Sequence, residues 1–143
     1  MKRFPFTYIN ASLASDHGIN AAKLVELVSI FAHAQGVTRV DLSGNLVSGS
    51  KYKYARQPDL GVETYDTDVS GIEALSAIKV KSLIMRSCEL GPKAVTALSS
   101  SAATAGVEAM DLSNNLFDPG DLEAPANMKI NVDGCAIPEL DDY

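Results

Sequence analysis

Three eleven-residue stretches of this chain share one pattern: Val37 to Val47, Val80 to Leu90 and Val107 to Phe117. Each has apolar residues at its first, fourth and sixth places, Asn or Cys at the ninth, and an apolar residue at the eleventh. One copy would be an ordinary half-buried strand followed by a turn. Repetition constrains the chain much further. A unit with one apolar edge cannot bury that edge alone, and stacking equivalent units buries it continuously.

Two looser copies complete the series. Phe6, Tyr8, Ala11 and Leu13 sit at the spacing of Leu83, Met85, Cys88 and Leu90, and Ile130, Val132, Cys135 and Ile137 sit at it again. The columns then read Phe6, Val40, Leu83, Met110, Ile130 and Tyr8, Leu42, Met85, Leu112, Val132 for the strands. The turn column reads Ala11, Asn45, Cys88, Asn115, Cys135, and the last apolar column Leu13, Val47, Leu90, Phe117, Ile137.

The segments between strands are helical in period. Leu24, Leu27, Val28 and Phe31 form one apolar face, with Gly36 a C-cap. Ile72, Leu75 and Ile78 give a short helix from Ser70, with Ser70 and Glu73 as a capping box. Pro92 suits the first position of a helix that runs to about Thr104 and ends at Gly106. Its small run of Ser and Ala either packs closely or frays. Asp118-Pro119-Gly120-Asp121 is a turn signal, followed by a limb too short for a helix. Residues 48–68 carry Gly, Pro and charges without a period, and read as an inserted loop.

With these residues in view, the chain resembles the leucine-rich repeat family, whose pattern is L-x-x-L-x-L-x-x-N/C-x-L. The long units with helical outer limbs resemble the ribonuclease-inhibitor type. The resemblance covers nearly all of residues 1–143 outside the insertion. Ala11 in place of Asn or Cys, and the short last units, depart from it. It implies an α/β fold in a single domain: a short, curved leucine-rich-repeat solenoid of about five units, with a parallel concave sheet and outer helices.

Composition excludes several classes of function. Hydrophobic residues make up 46% and charged residues 21%, the balance of a globular domain and not of a disordered chain. Twelve basic against eighteen acidic residues give a net charge of −6, which opposes unspecific nucleic-acid binding. The charge is uneven: residues 1–93 hold 11 basic and 9 acidic groups, and residues 94–143 hold 1 and 9. No apolar run approaches the ~20 residues of a membrane span. The first residues lack the apolar stretch of a signal peptide and read as the first repeat. Cys88 and Cys135 share a column two units apart. At about 4.8 Å per strand their Cα atoms stand roughly 10 Å apart. That is beyond the reach of a disulfide, about 7 Å. Both are expected to be free thiols in a reducing, intracellular and cytoplasmic setting.

The residues between core positions face outward. Arg39, Asp41, Ile84, Arg86, Asp111 and Asp133 thus share one surface. They read either as a self-satisfied charge network or as a recognition surface that uses charge for specificity. Tyr52, Tyr54 and Arg56 in the insertion read as a second protein contact, as a plain loop or, against the net negative charge, as a nucleic-acid contact. His17 and His33 have no convergent ligand set, so no metal or cofactor is expected, and no Ser or Cys has a base at useful spacing. The expectation is a non-enzymatic module that binds another protein. The alternative is a structural accessory subunit of a larger complex, docked by its ends and insertion.

Overall fold

The computed structural model describes residues 8–10, 18–32, 37–52, 62–123 and 127–137. Five three-residue strands come from the repeated units: β1 (Tyr8–Asn10), β2 (Arg39–Asp41), β5 (Ser82–Ile84), β6 (Ala109–Asp111) and β7 (Lys129–Asn131). They form one parallel sheet in chain order, β1-β2-β5-β6-β7. Val40 pairs with Leu83, Leu83 with Met110, and Met110 with Ile130, the register expected from the repeat.

The first unit differs. Ile9, not Phe6, pairs with Val40, and Tyr8 pairs with Arg39. The expected register therefore slips by three residues. Phe6 and Tyr8 matched the columns by size and alternation alone. That copy has no Asn or Cys at the expected turn position, so nothing anchored the match. Phe6, Ala11 and Leu13 themselves lie outside the described residues.

Three helices cover one face of the sheet. α1 (Ala21–Phe31) is capped by Asn20, whose Oδ1 accepts from Lys23 N at 2.9 Å. α2 (Ser70–Ala74) continues as a 3₁₀ turn over Leu75–Ala77. Its expected cap is corrected: Asp68 Oδ1 accepts from both the backbone N–H and the hydroxyl of Ser70, which pulls the Asp68 carboxyl below its usual range. α3 (Pro92–Ala105) starts on Pro92 and ends on Gly106, whose φ of 77° is the left-handed geometry that glycine tolerates. The small residues of α3 do not fray it. Ser101, Ala102 and Ala105 are buried, and helix packing runs from α1 to α2 to α3. Gly71 permits the closest approach, since a Cβ there would stand 2.8 Å from Ala21 O. Gly36 lies outside the described residues.

Val40, Leu42, Leu83, Met85, Met110 and Leu112 face the helices and join Leu24, Val28, Ile72, Leu75, Ile78, Val95 and Leu98 in one core. Parallel sheets usually have both faces covered. Here the described residues cover one, and the sheet is not strongly curled. No helix among the described residues is long and apolar enough to cross a membrane.

The insertion is not a plain loop at its two ends. β3 (Lys51–Tyr52) and β4 (Val62–Thr64) form an antiparallel ribbon with an irregular register between Lys51 and Tyr52. A break in period hid two strands too short to show alternation.

Candidate binding face

The uncovered face of the sheet is built from the residues between core positions. Arg39, Ser82, Ala109 and Lys129 stand in one register row, and Asp41, Ile84, Asp111 and Asn131 in the next. Backbone bonds continue the order beyond the strands: Gly44 N donates to Arg86 O, Ser87 N to Ser113 O, and Asn114 N to Asp133 O. The third row is therefore Ser43, Arg86, Ser113 and Asp133.

Much of this polarity first serves the turn. Asp41 Oδ1 accepts from Ser43 N at 2.9 Å, Asp111 Oδ1 from Ser113 N at 3.1 Å, and Asn131 Oδ1 from Asp133 N at 3.0 Å. An Asx side chain that binds the N–H two residues on ends a strand and opens a turn. The chain then passes through positive φ at Gly44, Ser87, Asn114 and Gly134, the same position in units two to five. Glycine and asparagine suit that geometry, and Ser87 is the exception. Unit three has Ile84 where an Asx stands elsewhere, and there Ser43 Oγ accepts from Arg86 N at 3.0 Å.

Arg86 pairs through Nε with Asp111 Oδ2 on the neighbouring strand. The Arg86 side chain is 57% exposed and that of Asp111 16%. Burial pushes the Asp111 carboxyl up, yet the Ser113 N–H and the Arg86 guanidinium together hold it below the usual carboxylate range. Arg39 and Asp133 are exposed, and Asp41 is half-buried. Ile84 corrects the expected contact set. It is only 5% exposed, lying in register between Asp41 and Asp111, so it supports the face and offers little surface. Tyr52 lies in β3, while Tyr54 and Arg56, like His17 and His33, lie outside the described residues.

Beneath this face runs the turn ladder. Asn115 Oδ1 accepts from Cys88 N and Leu90 N, at 3.0 and 3.1 Å, and its Nδ2 donates to Met85 O and Leu112 O, both at 2.8 Å. Asn45 Oδ1 accepts from Ile19 N, and its Nδ2 donates to Leu42 O. Cysteine keeps only the donor half of this arrangement. Cys88 Sγ donates to Leu42 O at 3.2 Å and Cys135 Sγ to Leu112 O at 3.0 Å. Both thiols are free, each bound to a carbonyl of the unit before it.

Burial pushes the Cys88 thiol from 9.0 to about 12. A raised folded-state value leaves stability intact below pH 9, and stability falls as pH climbs from 9 towards 12. The slope there is about 1.4 kcal/mol per pH unit. Thermal melts at pH 8, 9.5 and 10.5 on the wild type and Cys88→Ala are expected to show a steeper alkaline loss in the wild type. Parallel slopes would remove Cys88 as the cause.

Asp66 is the residue that pattern reading missed. It is 3% exposed and receives Ser48 Oγ at 2.8 Å, Gly91 N at 3.0 Å and Ala94 N at 3.0 Å. Its partners on α3 are 25 and 28 positions away, so no local motif marks it. The available signal was indirect: α3 begins Gly91-Pro92, with no capping side chain of its own.

Among the described residues no group of three or more His, Cys, Asp or Glu could hold a metal ion. The face offers hydrogen-bond donors and acceptors and two exposed arginines, Arg39 and Arg86, the chemistry of recognition. Comparison with protein-family models, with curated proteins and with solved structures gave no match to this chain.

Proposed function

We propose that this chain is a short leucine-rich-repeat solenoid of the ribonuclease-inhibitor-like type, a non-catalytic module that binds another protein through the uncovered face of its sheet. The observation that carries this reading is a face with mostly polar side chains in register over four strands, left open by the described residues, whose apolar core lies on the opposite face. The turns that follow the strands are pinned by side chain to backbone bonds, so the face is preorganised and loses little entropy on binding. Arg39, Asp41, Arg86, Asp111 and Asp133 supply its charges, and the ribbon that carries Tyr52 supplies a second contact.

The test is the double substitution Arg86→Ala with Asp111→Ala. Removing both partners avoids leaving a lone charge behind. Crosslinking affinity purification with the full chain is expected to lose its partner, with a roughly thirtyfold drop in affinity if the pair is a hot spot. Partners that all bind the double variant as well as the wild type would end the open-face reading.

A second reading rests on the far edge of the sheet. Ile130 and Val132 are half-buried there and Ile137 is 53% exposed. An apolar edge of this kind suits a structural subunit docked by its end and its ribbon. Native mass measurement separates the two: a stable free monomer weakens the assembly reading.

A further inference from the structure

We propose that Asp66 is an internal latch that makes the inserted ribbon and the first turn of α3 one cooperative unit, able to open and close apart from the parallel sheet. The need for a latch begins with α3. Its first turn has unpaired backbone N–H groups, as every helix does, and its N-cap is Gly91, which has no side chain to offer. Asp66 fills both capping roles from a distance. Oδ1 accepts from the N-cap N–H of Gly91, and Oδ2 accepts from the N–H of Ala94 two residues into the helix after Pro92. Within one segment these tasks fall to an N-cap side chain and to the Glu or Gln of a capping box.

The same carboxylate holds the ribbon. Ser48 Oγ donates to Asp66 Oδ1, and Asp66 N donates to Ser50 Oγ. Ser50 Oγ in turn donates to Glu89 O, just before α3. The two ends of the insertion are tied to each other as well: Thr67 Oγ1 donates to Gly49 O at 2.6 Å, and Asp68 N to Ser48 O at 3.1 Å. Glycine makes the fit possible twice. A Cβ at Gly91 would stand 2.6 Å from Asp66 Oδ2, and one at Gly49 would stand 2.5 Å from Thr67 Oγ1. Asp66 itself sits at φ 50°, a conformation that Asp adopts more readily than most residues.

The four bonds of Asp66 are polar and buried and share one residue, whereas the sheet is held by its own ladder and by the apolar core. Losing the carboxylate therefore frees the ribbon and uncaps α3 together. A partner that grips the ribbon acts on the α3 N-terminus through this one side chain.

Amide hydrogen exchange on the full chain tests the latch, using Asp66→Asn and the milder Ser48→Ala. Asn keeps the shape but turns an NH2 group toward a backbone N–H. In Asp66→Asn the amides of Thr64, residue 66, Gly91, Ala94 and Val95 are expected to exchange at least tenfold faster. Met85 and Leu112, in the sheet ladder, are expected to stay within about twofold. Ser48→Ala, which keeps the carboxylate, is expected to give the same pattern at about threefold. Acceleration confined to α3, with the ribbon unchanged, would reduce Asp66 to a simple cap and overturn the latch. Equal acceleration of ribbon, helix and sheet amides in both variants would overturn it too.

Discussion

Asn115→Ala is expected to lower the unfolding free energy by about 4 kcal/mol. The side chain is buried and makes four bonds to backbone groups of two units. Alanine strands the N–H groups of Cys88 and Leu90 and the carbonyls of Met85 and Leu112, and each stranded buried group costs about 1–3 kcal/mol, less where it finds another partner. Asn115→Cys should cost about half as much, roughly 2 kcal/mol by the same scale. A thiol there can donate to Met85 O as Cys88 does to Leu42 O and Cys135 to Leu112 O. Urea unfolding of the three proteins checks the order. A loss below about 1 kcal/mol for the alanine variant would mean that water replaces the ladder, within the usual range for surface changes.

Phe117→Ala is expected to cost about 4 kcal/mol, in the range for deleting a buried aromatic ring. Phe117 is fully buried at the foot of β6, within the single core. Phe117→Leu installs the residue type that Leu90 holds in the same column and should cost about 1–2 kcal/mol. Ile137 also belongs to that column, yet it is 53% exposed, so Ile137→Ala should cost under about 1 kcal/mol. Denaturant midpoints at constant slope decide the ranking. An equal loss at Phe117 and Ile137 would mean that the far edge is covered as well as the centre is.

The contrast between these two positions marks how far the pattern could be read. Columns of apolar residues located four strands correctly, because an alternation anchored by Asn or Cys allows one register. They failed at the first strand, where Ala11 offered no anchor and Tyr8 took a place three residues from the expected one. They placed Arg86 and Asp111 together on the open face, as the ion pair bears out. They overstated Ile84, because a column says which way a side chain points and not what its neighbours cover. The Asx bonds of Asp41 and Asp111 were written in the repeat, but the two carboxylates read as charge available to a partner.

By itself the sequence determined the period, the core columns of units two to five and the outward rows, since these follow from local alternation and repetition, while the parallel order was what the family resemblance implied. Tertiary structure alone decided three things: the register of β1, the burial of Ile84, and the seating of Asp66 at the start of α3. Each depends on which groups meet across tens of residues. Pattern reports the direction of a side chain along its own element, and only packing brings the partner that gives that direction its energy.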